Sequence, residues 1–377
     1  MENSDTVVVG AGIVGCATAF WLARAGLSVT VIERDQLAQH ASSARFSVLA
    51  PLDAADSEPR VRAGWSSLEA LREIESELED VSTLEPRIGD TGLLRLAEEC
   101  DCDAMMAHAA SAPRHGCQWY DRAELEAWDS RLDPRWHGGL WSPRESQVDG
   151  ARLTRIFARG AEHYGARFEF GTTAVGLAMS EGCVAGVLTD HDLLFAAGDV
   201  IICAGNWSGE VANWVGSTVT FEPVIGEALK LDAPRPNLPS SVSAGGVQLV
   251  PDRGELWIGN GFSGTLEMSS ALELESDPPG APDDLDGSTS LAERAARVLR
   301  CVADLPSRET WVGSFSLTPD RMPLVGRVPN VEGAILATGY GRHGVLLSAL
   351  TAVAIVELIV EGQTSDEAQP FSPDRFA

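Results

Sequence analysis

An α/β fold in two modules is predicted by three observations on the sequence. A β-branched strand runs directly into a glycine-rich turn and an apolar helix at the amino terminus. A strand, a glycine-rich loop and a long apolar helix recur near the carboxyl terminus. Between them lie short alternating segments of the kind that build antiparallel sheets, and 377 residues exceed what one hydrophobic core serves.

The first element is the run Thr6-Val7-Val8-Val9, suited to a strand buried on both faces of a parallel sheet. Gly10-Ala11-Gly12-Ile13-Val14-Gly15 follows at once, and the apolar helix continues to Ala25 with Gly26 as its stop. A second strand, Ser28 to Ile32, ends at Glu33 and Arg34. Gly10 permits the tight turn, Gly12 lets a pyrophosphate approach the backbone, and Gly15 lets helix and strand pack closely. The helix start, at Ile13 and Val14, offers N–H groups and partial positive charge to phosphates. Glu33 is placed to accept hydrogen bonds from ribose hydroxyls and to disfavour a 2′-phosphate. This unit specifies a dinucleotide and does not choose between FAD and NAD.

Composition narrows the function. The formal charge of −27 and a pI near 4.5 oppose nucleic acid and anionic membrane surfaces as partners. Seven scattered cysteines form no disulfide framework, and Cys100 and Cys102 lack the second pair that a zinc site needs. No metal is expected. No apolar stretch is expected to reach the ~20 residues of a membrane-spanning helix. The best candidate, Val345 to Val360, contains Glu357 and reads as a buried helix. Acidic residues and a strand stand where a signal peptide would begin, so the expected compartment is the cytoplasm.

Three further segments resemble the D-amino-acid oxidase superfamily of FAD-dependent oxidoreductases, in its glycine oxidase and sarcosine oxidase branch. They are His40 to Pro51, containing Ser42, Ser43 and Arg45; Phe168 to Ser208, containing Val175 and Ala204-Gly205-Asn206-Trp207; and Trp311 to Leu347, containing Gly313, Gly339, Gly341, Gly344 and Val345. The resemblance spans almost the whole chain and keeps family order. It implies a Rossmann-like, glutathione-reductase-type FAD domain made of 1–55, 140–220 and 305–377. An antiparallel-sheet substrate domain would be made of 56–139 and 221–304. Local patterns agree: Ala63 to Asp80 reads as an amphipathic helix, and Phe221–Leu231, Val247–Pro251 and Glu255–Gly259 read as strands. Glu273 to Ser290, acidic and rich in Pro and Gly, reads as an exposed loop.

By the same resemblance the Ser-rich stretch passes the flavin diphosphate, and Val175 meets the adenine through its backbone. The flavin lies between the domains, and hydride moves from a carbon bearing nitrogen to flavin N5 before oxygen or another acceptor takes the electrons. Arg342 and His343 are the candidate catalytic residues, Arg342 also contacting flavin; His343 carries the option of a general base. Phe46, Trp257 and Phe315 are the candidate substrate-pocket residues, with Phe262 beside Trp257. Two departures stand out. Family members carry an arginine that clamps the substrate carboxylate where this chain has Phe315. The cysteine that holds flavin covalently in sarcosine oxidase relatives aligns with Gly313, so non-covalent FAD is expected, with His40 as the alternative attachment point. Lys230, the only lysine, lies too early on its sheet to match the oxygen-activating lysine of those relatives.

The expected function is therefore FAD-dependent oxidation of an amine or amino acid, with a small molecule as partner. Two rivals stay open. A flavin-dependent tailoring enzyme or oxygenase, acting on a ring-bearing or carrier-bound metabolite, is favoured by Phe315. A non-catalytic, flavin-stabilised subunit would explain the acidic surface through a basic partner.

Overall fold

The computed structural model describes residues 3–52, 57–89, 91–111, 115–233, 238–260 and 290–377. The chain separates into two compact units, Met1–Gly89 with Val148–Val224 and Ser314–Ala377, and Asp90–Gln147 with Ile225–Gly313. Both are discontinuous. Residues 58–82, expected with the substrate module, belong to the first unit. Helix Glu58–Glu73 buries Ala63, Trp65, Leu68 and Leu71, and Ser67 Oγ accepts a 3.0 Å hydrogen bond from the Leu350 amide of that unit. An amphipathic stripe shows that a helix has a covered face; it does not say which module covers it. The helix is also shorter than expected. It breaks at Ile74 (φ −98°, ψ 1°), and a second helix runs over Glu75–Ser82.

The first unit is centred on five parallel strands in the order Ala334–Thr338, Leu194–Ile202, Asn3–Val9, Val29–Glu33, Arg167–Phe170. Leu324–Arg327 adds an antiparallel edge, and Ala174–Ser180 with Cys183–Thr189 form a meander against the early part of Leu194–Ile202. Val7, Val8, Val31, Val200 and Ile201 have no solvent exposure, as β-branched residues of a sheet covered on both faces should.

Helices Ile13–Arg24 and Glu58–Glu73 both pack on Gly344–Val360. With the short turn Gly341–His343 that precedes it, the last helix makes a continuous 20-residue segment, long and apolar enough to cross a bilayer. The expectation that no stretch reaches that length is thereby corrected. Leu346, Leu347, Ala349, Ala352 and Ile355 are buried within the first unit.

A second sheet, belonging to the second unit apart from residues 314–317 and 222–224 of its first two strands, has the order Ser307–Leu317, Glu222–Asp232, Glu255–Asn260, Val247–Asp252, Ser241–Ala244, Leu93–Ala97, Gly138–Ser142, Gln118–Asp121. The hairpin pairings are antiparallel, and Ser241–Ala244 runs parallel to Leu93–Ala97. Leu94, Leu96, Val242, Leu249 and Ile258 form its core with Leu291 and Ala295 of a short helix. A mixed α/β fold with a predominantly antiparallel second sheet is what the sequence predicts. The loop expected over Glu273 to Ser290 lies, Ser290 apart, outside the described residues, as does Phe262.

Candidate functional site

All five parallel strands of the first unit point their carboxyl ends the same way, the edge where open α/β sheets bind ligands. A cavity of about 380 Å³ opens there, lined by Gly10, Gly12, Glu33, Arg34, His40, Ser42, Val175, Ala204, Gly205 and Trp207 among others.

The turn after Val9 is fixed by close approach. Gly10 has φ +106°, and a Cβ there would meet the Cys203 carbonyl oxygen; one on Gly15 would run into the Gly10 carbonyl oxygen. Gly12 caps helix Ile13–Arg24 with no side-chain bond of its own. The Ile13 amide instead donates to Ser42 Oγ at 2.9 Å. A serine oxygen thus occupies the direction from which a phosphate oxygen would meet this helix end, so the donor set fits a diphosphate. Glu33, 9% exposed, accepts from the Ala11 amide at 2.7 Å and from the Asp35 amide at 2.9 Å. Its carboxylate both braces the turn and lines the cavity.

The rim is aromatic and charged. The Arg34 guanidinium lies 4.7 Å from the Trp207 ring centroid, and the His40 ring meets Trp207 edge-on at 4.6 Å. His40 Nε2 and Asp35 Oδ2 are 2.8 Å apart. Val175 is half exposed on the wall, and Gly205 turns the chain at φ +52° after the strand Leu194–Ile202. Asn206 Nδ2 donates to Ser314 Oγ at 2.6 Å. Ile13, Val14 and Gly15 are buried behind the turn, while Ser43 and the exposed Arg45 do not line the cavity. Thr173, Glu210 and Trp214 do line it, and motif reading missed them. Trp214, seven positions after Trp207, was the one with a readable signal, since a second tryptophan follows on the same short helical stretch.

A second strand–loop–helix unit leaves Ala334–Thr338. Gly339 (φ +78°) and Gly341 (φ +52°) bend the loop, and a Cβ on Gly341 would strike the Leu317 side chain. Arg342 and His343 close it, with Gly344 and Val345 starting the long helix. Arg342 Nε donates to His343 Nε2 at 3.4 Å. Burial lowers Arg342 to about 10, leaving it charged at neutral pH. Burial, then the charges of Arg342 and Arg60, hold His343 well below the ordinary imidazole value. His343 is therefore neutral, and its Nε2 faces a guanidinium. The neighbouring guanidinium disfavours a proton on this ring.

The remaining candidates are scattered. Phe46 and Phe315 are half-buried residues of the first unit. Gly313 stands on Ser307–Leu317 in the second unit, where a Cβ would strike the Trp311 ring. Trp257 is 2% exposed within the second sheet, its ring centroid 5.5 Å from Lys230 Nζ, and so packs in that sheet. Lys230 pairs with Glu255 at 2.8 Å. Among the described residues no group of His, Cys, Asp and Glu is arranged to hold a metal ion.

Comparison with known proteins agrees with this geometry. Residues 5–358 match the DAO family, described as FAD dependent oxidoreductase. The chain is 30% identical over 369 residues to the bifunctional protein ThiO/ThiG of Nostoc sp., covering 96% of this chain and 53% of that protein. It thus spans about half the length of the bifunctional relatives it matches. It is 28% identical to the glycine oxidase of Geobacillus kaustophilus, over 98% of this chain and 97% of the other. The crystal structure of glycine oxidase from Geobacillus kaustophilus superposes with a TM-score of 0.85 at 26% identity, covering 99% of this chain and 98% of that one. The L-proline dehydrogenase of P. horikoshii shares the fold, with a TM-score of 0.84 at 21% identity and coverage of 100% and 98%. The strands that lead to the glycine-rich turn, Glu33 and the Arg342 loop share one sheet, and the chain belongs to the DAO family of FAD dependent oxidoreductases.

Proposed function

We propose that the protein oxidises a small amine or amino acid, removing a hydride from the carbon that bears nitrogen. The observation that carries this reading is the Arg342 loop, which puts a cation that stays charged at neutral pH on the strand next but one to the dinucleotide turn. FAD, when bound, supplies the acceptor for the hydride.

The chain's own residues bind and orient. Amides at the start of Ile13–Arg24 and Ser42 would hold the diphosphate, Glu33 the ribose, and Val175 with Arg34 and Trp207 the adenosine end. Gly339, Gly341, Gly344 and Val345 would offer backbone amides and the positive end of the last helix to the flavin. Arg342 contacts substrate or flavin, and neutral His343 fixes its Nε. The amine binds unprotonated, so no side-chain base is needed. The FAD is held non-covalently. His40 is engaged by Asp35 and Trp207 in the cavity wall, and Gly313 offers no thiol. The protein acts in the cytoplasm on a small molecule.

A second reading rests on Phe315. Without an arginine at that position, the substrate is a ring-bearing or carrier-bound metabolite and the enzyme a flavin-dependent tailoring catalyst. The test is anaerobic bleaching of the bound flavin by glycine, sarcosine, D- and L-amino acids and carboxylate-free amines. Bleaching by an amino acid supports amine oxidation. A protein that holds FAD but is bleached by none of them favours the second reading.

A further inference from the structure

We propose that the second unit holds a phosphate site of its own, built on Arg122 and Arg300, for a small hydroxylated phosphate monoester or free phosphate. Every residue it uses lies in that unit, so it is independent of the amine-oxidation reading.

The frame comes first. A cavity of about 320 Å³ is walled by helix Arg122–Trp128, by residues 129–134 and by the start of the 3-10 turn Arg300–Asp304. That volume is in the range of small-ligand pockets, roughly 300–1,000 Å³. The walls are stitched together. Leu132 bridges Leu299 in antiparallel fashion, and the Asp133 amide donates to the Val298 carbonyl oxygen at 3.1 Å. Trp136 Nε1 donates to the Arg297 carbonyl oxygen at 3.3 Å, and Leu132, Leu299 and Val302 belong to the core of the unit. The helix start is equally fixed. Asp121 Oδ1 accepts from the Glu124 amide at 2.9 Å while Glu124 Oε2 accepts from the Asp121 amide at 2.8 Å, so Arg122 leaves a set backbone.

Charge comes second. The chain has 55 acidic and 28 basic residues, yet the cavity is lined by Arg122, Arg131 and Arg300 against Glu126 and Asp129. Asp129, 8% exposed, is committed: it accepts from the Arg131 amide and Nε at 2.9 Å and from Nη2 at 2.6 Å. Arg122 is different. Its Nη1 donates to the carbonyl oxygens of Trp136 at 3.2 Å and Asp133 at 3.4 Å, and no carboxylate pairs with it among the described residues. Arg300 Nε donates to Asp133 Oδ2 at 3.1 Å, and its two Nη groups have no partner among the described residues. Both guanidiniums therefore hold the same residue, Arg122 by its carbonyl and Arg300 by its carboxylate, and flank one small space. Asp133 also accepts from Arg135 Nε at 3.2 Å, so its charge is shared between two cations.

The chemistry follows from that arrangement. A tetrahedral phosphate has a separate oxygen for each of two guanidiniums that arrive from different walls. The cavity is also roomy: about 320 Å³ is some ten times the ~30 Å³ share of one water, which leaves space for an organic remainder. Glu126, the lining carboxylate that no cation engages among the described residues, repels a bare phosphate and accepts from a hydroxyl of such a remainder. It thereby favours the monoester over the free ion.

The experiment uses the FAD-loaded protein, because the helix start that receives the diphosphate would itself take phosphate if empty. Ribose 5-phosphate, inorganic phosphate, ribose and succinate are titrated by calorimetry into wild type, Arg122→Gln, Arg300→Gln and Glu126→Gln. Wild type is expected to bind both phosphates, ribose 5-phosphate the more tightly, and to ignore ribose. Arg122→Gln should weaken both roughly 20-fold, as loss of a charged hydrogen-bond donor does. Arg300→Gln, which removes a more exposed cation, should weaken them roughly 3-fold. Glu126→Gln should tighten inorganic phosphate roughly 3-fold and narrow the lead of ribose 5-phosphate. Equal affinity of wild type for the two phosphates, still dependent on Arg122, upholds the site with free phosphate as its ligand. Unchanged affinities in Arg122→Gln, or no binding by wild type, overturn the proposal. Succinate bound as tightly as either phosphate overturns the phosphate assignment. If Arg122→Gln melts below wild type, Glu126→Gln decides, and phosphate affinity that does not rise there overturns the proposal. Flavin bleaching by amines is read separately, so its failure with the phosphate site intact sinks only the amine-oxidation reading.

Discussion

The loop at Gly10–Gly12 and the loop at Gly339–His343 both leave a parallel strand and enter a long buried helix, yet they present different chemistry. The first works chiefly through its backbone, with Ser42 Oγ on the Ile13 amide. The contacts that fix Gly10 and Gly15 are carbonyl oxygens, and the charged neighbour Glu33 is pinned by two amides. The second ends in Arg342 and His343, side chains set by burial and by each other. A diphosphate is the same in every FAD and suits a fixed backbone mould. A substrate differs from enzyme to enzyme and is met by side chains that can be exchanged without rebuilding the turn.

Four measurements test that contrast. The largest effect is expected from Gly15→Ala, whose new Cβ meets the Gly10 carbonyl oxygen, a backbone atom that cannot yield cheaply. Stability should fall by about 3 kcal/mol or more, and the purified protein should lose its visible flavin band. Retention of FAD with an unchanged Tm would show that the turn is softer than a mould. Arg342→Ala should do the opposite. FAD stays bound, and anaerobic flavin reduction by the best amine slows about 100-fold, as when one preorganised charge is removed. Equal loss of FAD would dissolve the distinction between the loops.

The third measurement concerns pH. His343 has a folded value held below the ordinary one of about 6.5, so above that pH neither folded nor unfolded imidazole binds a proton. As pH falls through 6.5 the unfolded chain takes up a proton that the folded chain refuses. Stability is lost on the acid side, by at most about 1.4 kcal/mol per pH unit from this group. Denaturant melts at pH 7.5 and 5.5 should show a smaller acid loss in His343→Gln than in wild type; equal losses would mean the imidazole is not kept neutral. The smallest effect belongs to Ser42→Ala. It removes the acceptor from the Ile13 amide, and should cost the FAD-free protein about 1 kcal/mol, as loss of a helix cap does. The FAD-loaded protein should lose less, because a diphosphate serves the same amide.

Much of the first loop was legible because its constraints are local. Gly10, Gly12, Gly15 and Glu33 act within one strand–turn–helix–strand unit, and their spacing follows from that geometry. Val175, Ala204, Gly205 and Trp207 were reached only through family resemblance, yet the cavity gathers them. What stayed hidden depends on tertiary partners. Nothing in the pattern of residues 58–82 says that Ser67 will meet the Leu350 amide, so the segment was given to the other module. His343 reads as a titrating histidine until its burial and two nearby arginines are known. Trp257 looks like a pocket wall on an alternating strand, and only the paired neighbours show its ring covered by Lys230.

The buried helix at Gly344–Val360 has a consequence for biosynthesis. The two helices it packs on, Ile13–Arg24 and Glu58–Glu73, leave the ribosome long before it does. About 320 residues (344 minus 24) separate it from the first, roughly 16–64 s of elongation at about 5–20 residues per second. Through that interval the nascent chain carries an apolar trough with its lid not yet translated. A message truncated just before codon 344 should therefore yield a chaperone client rather than a smaller enzyme, although every residue of the dinucleotide turn would already be in place.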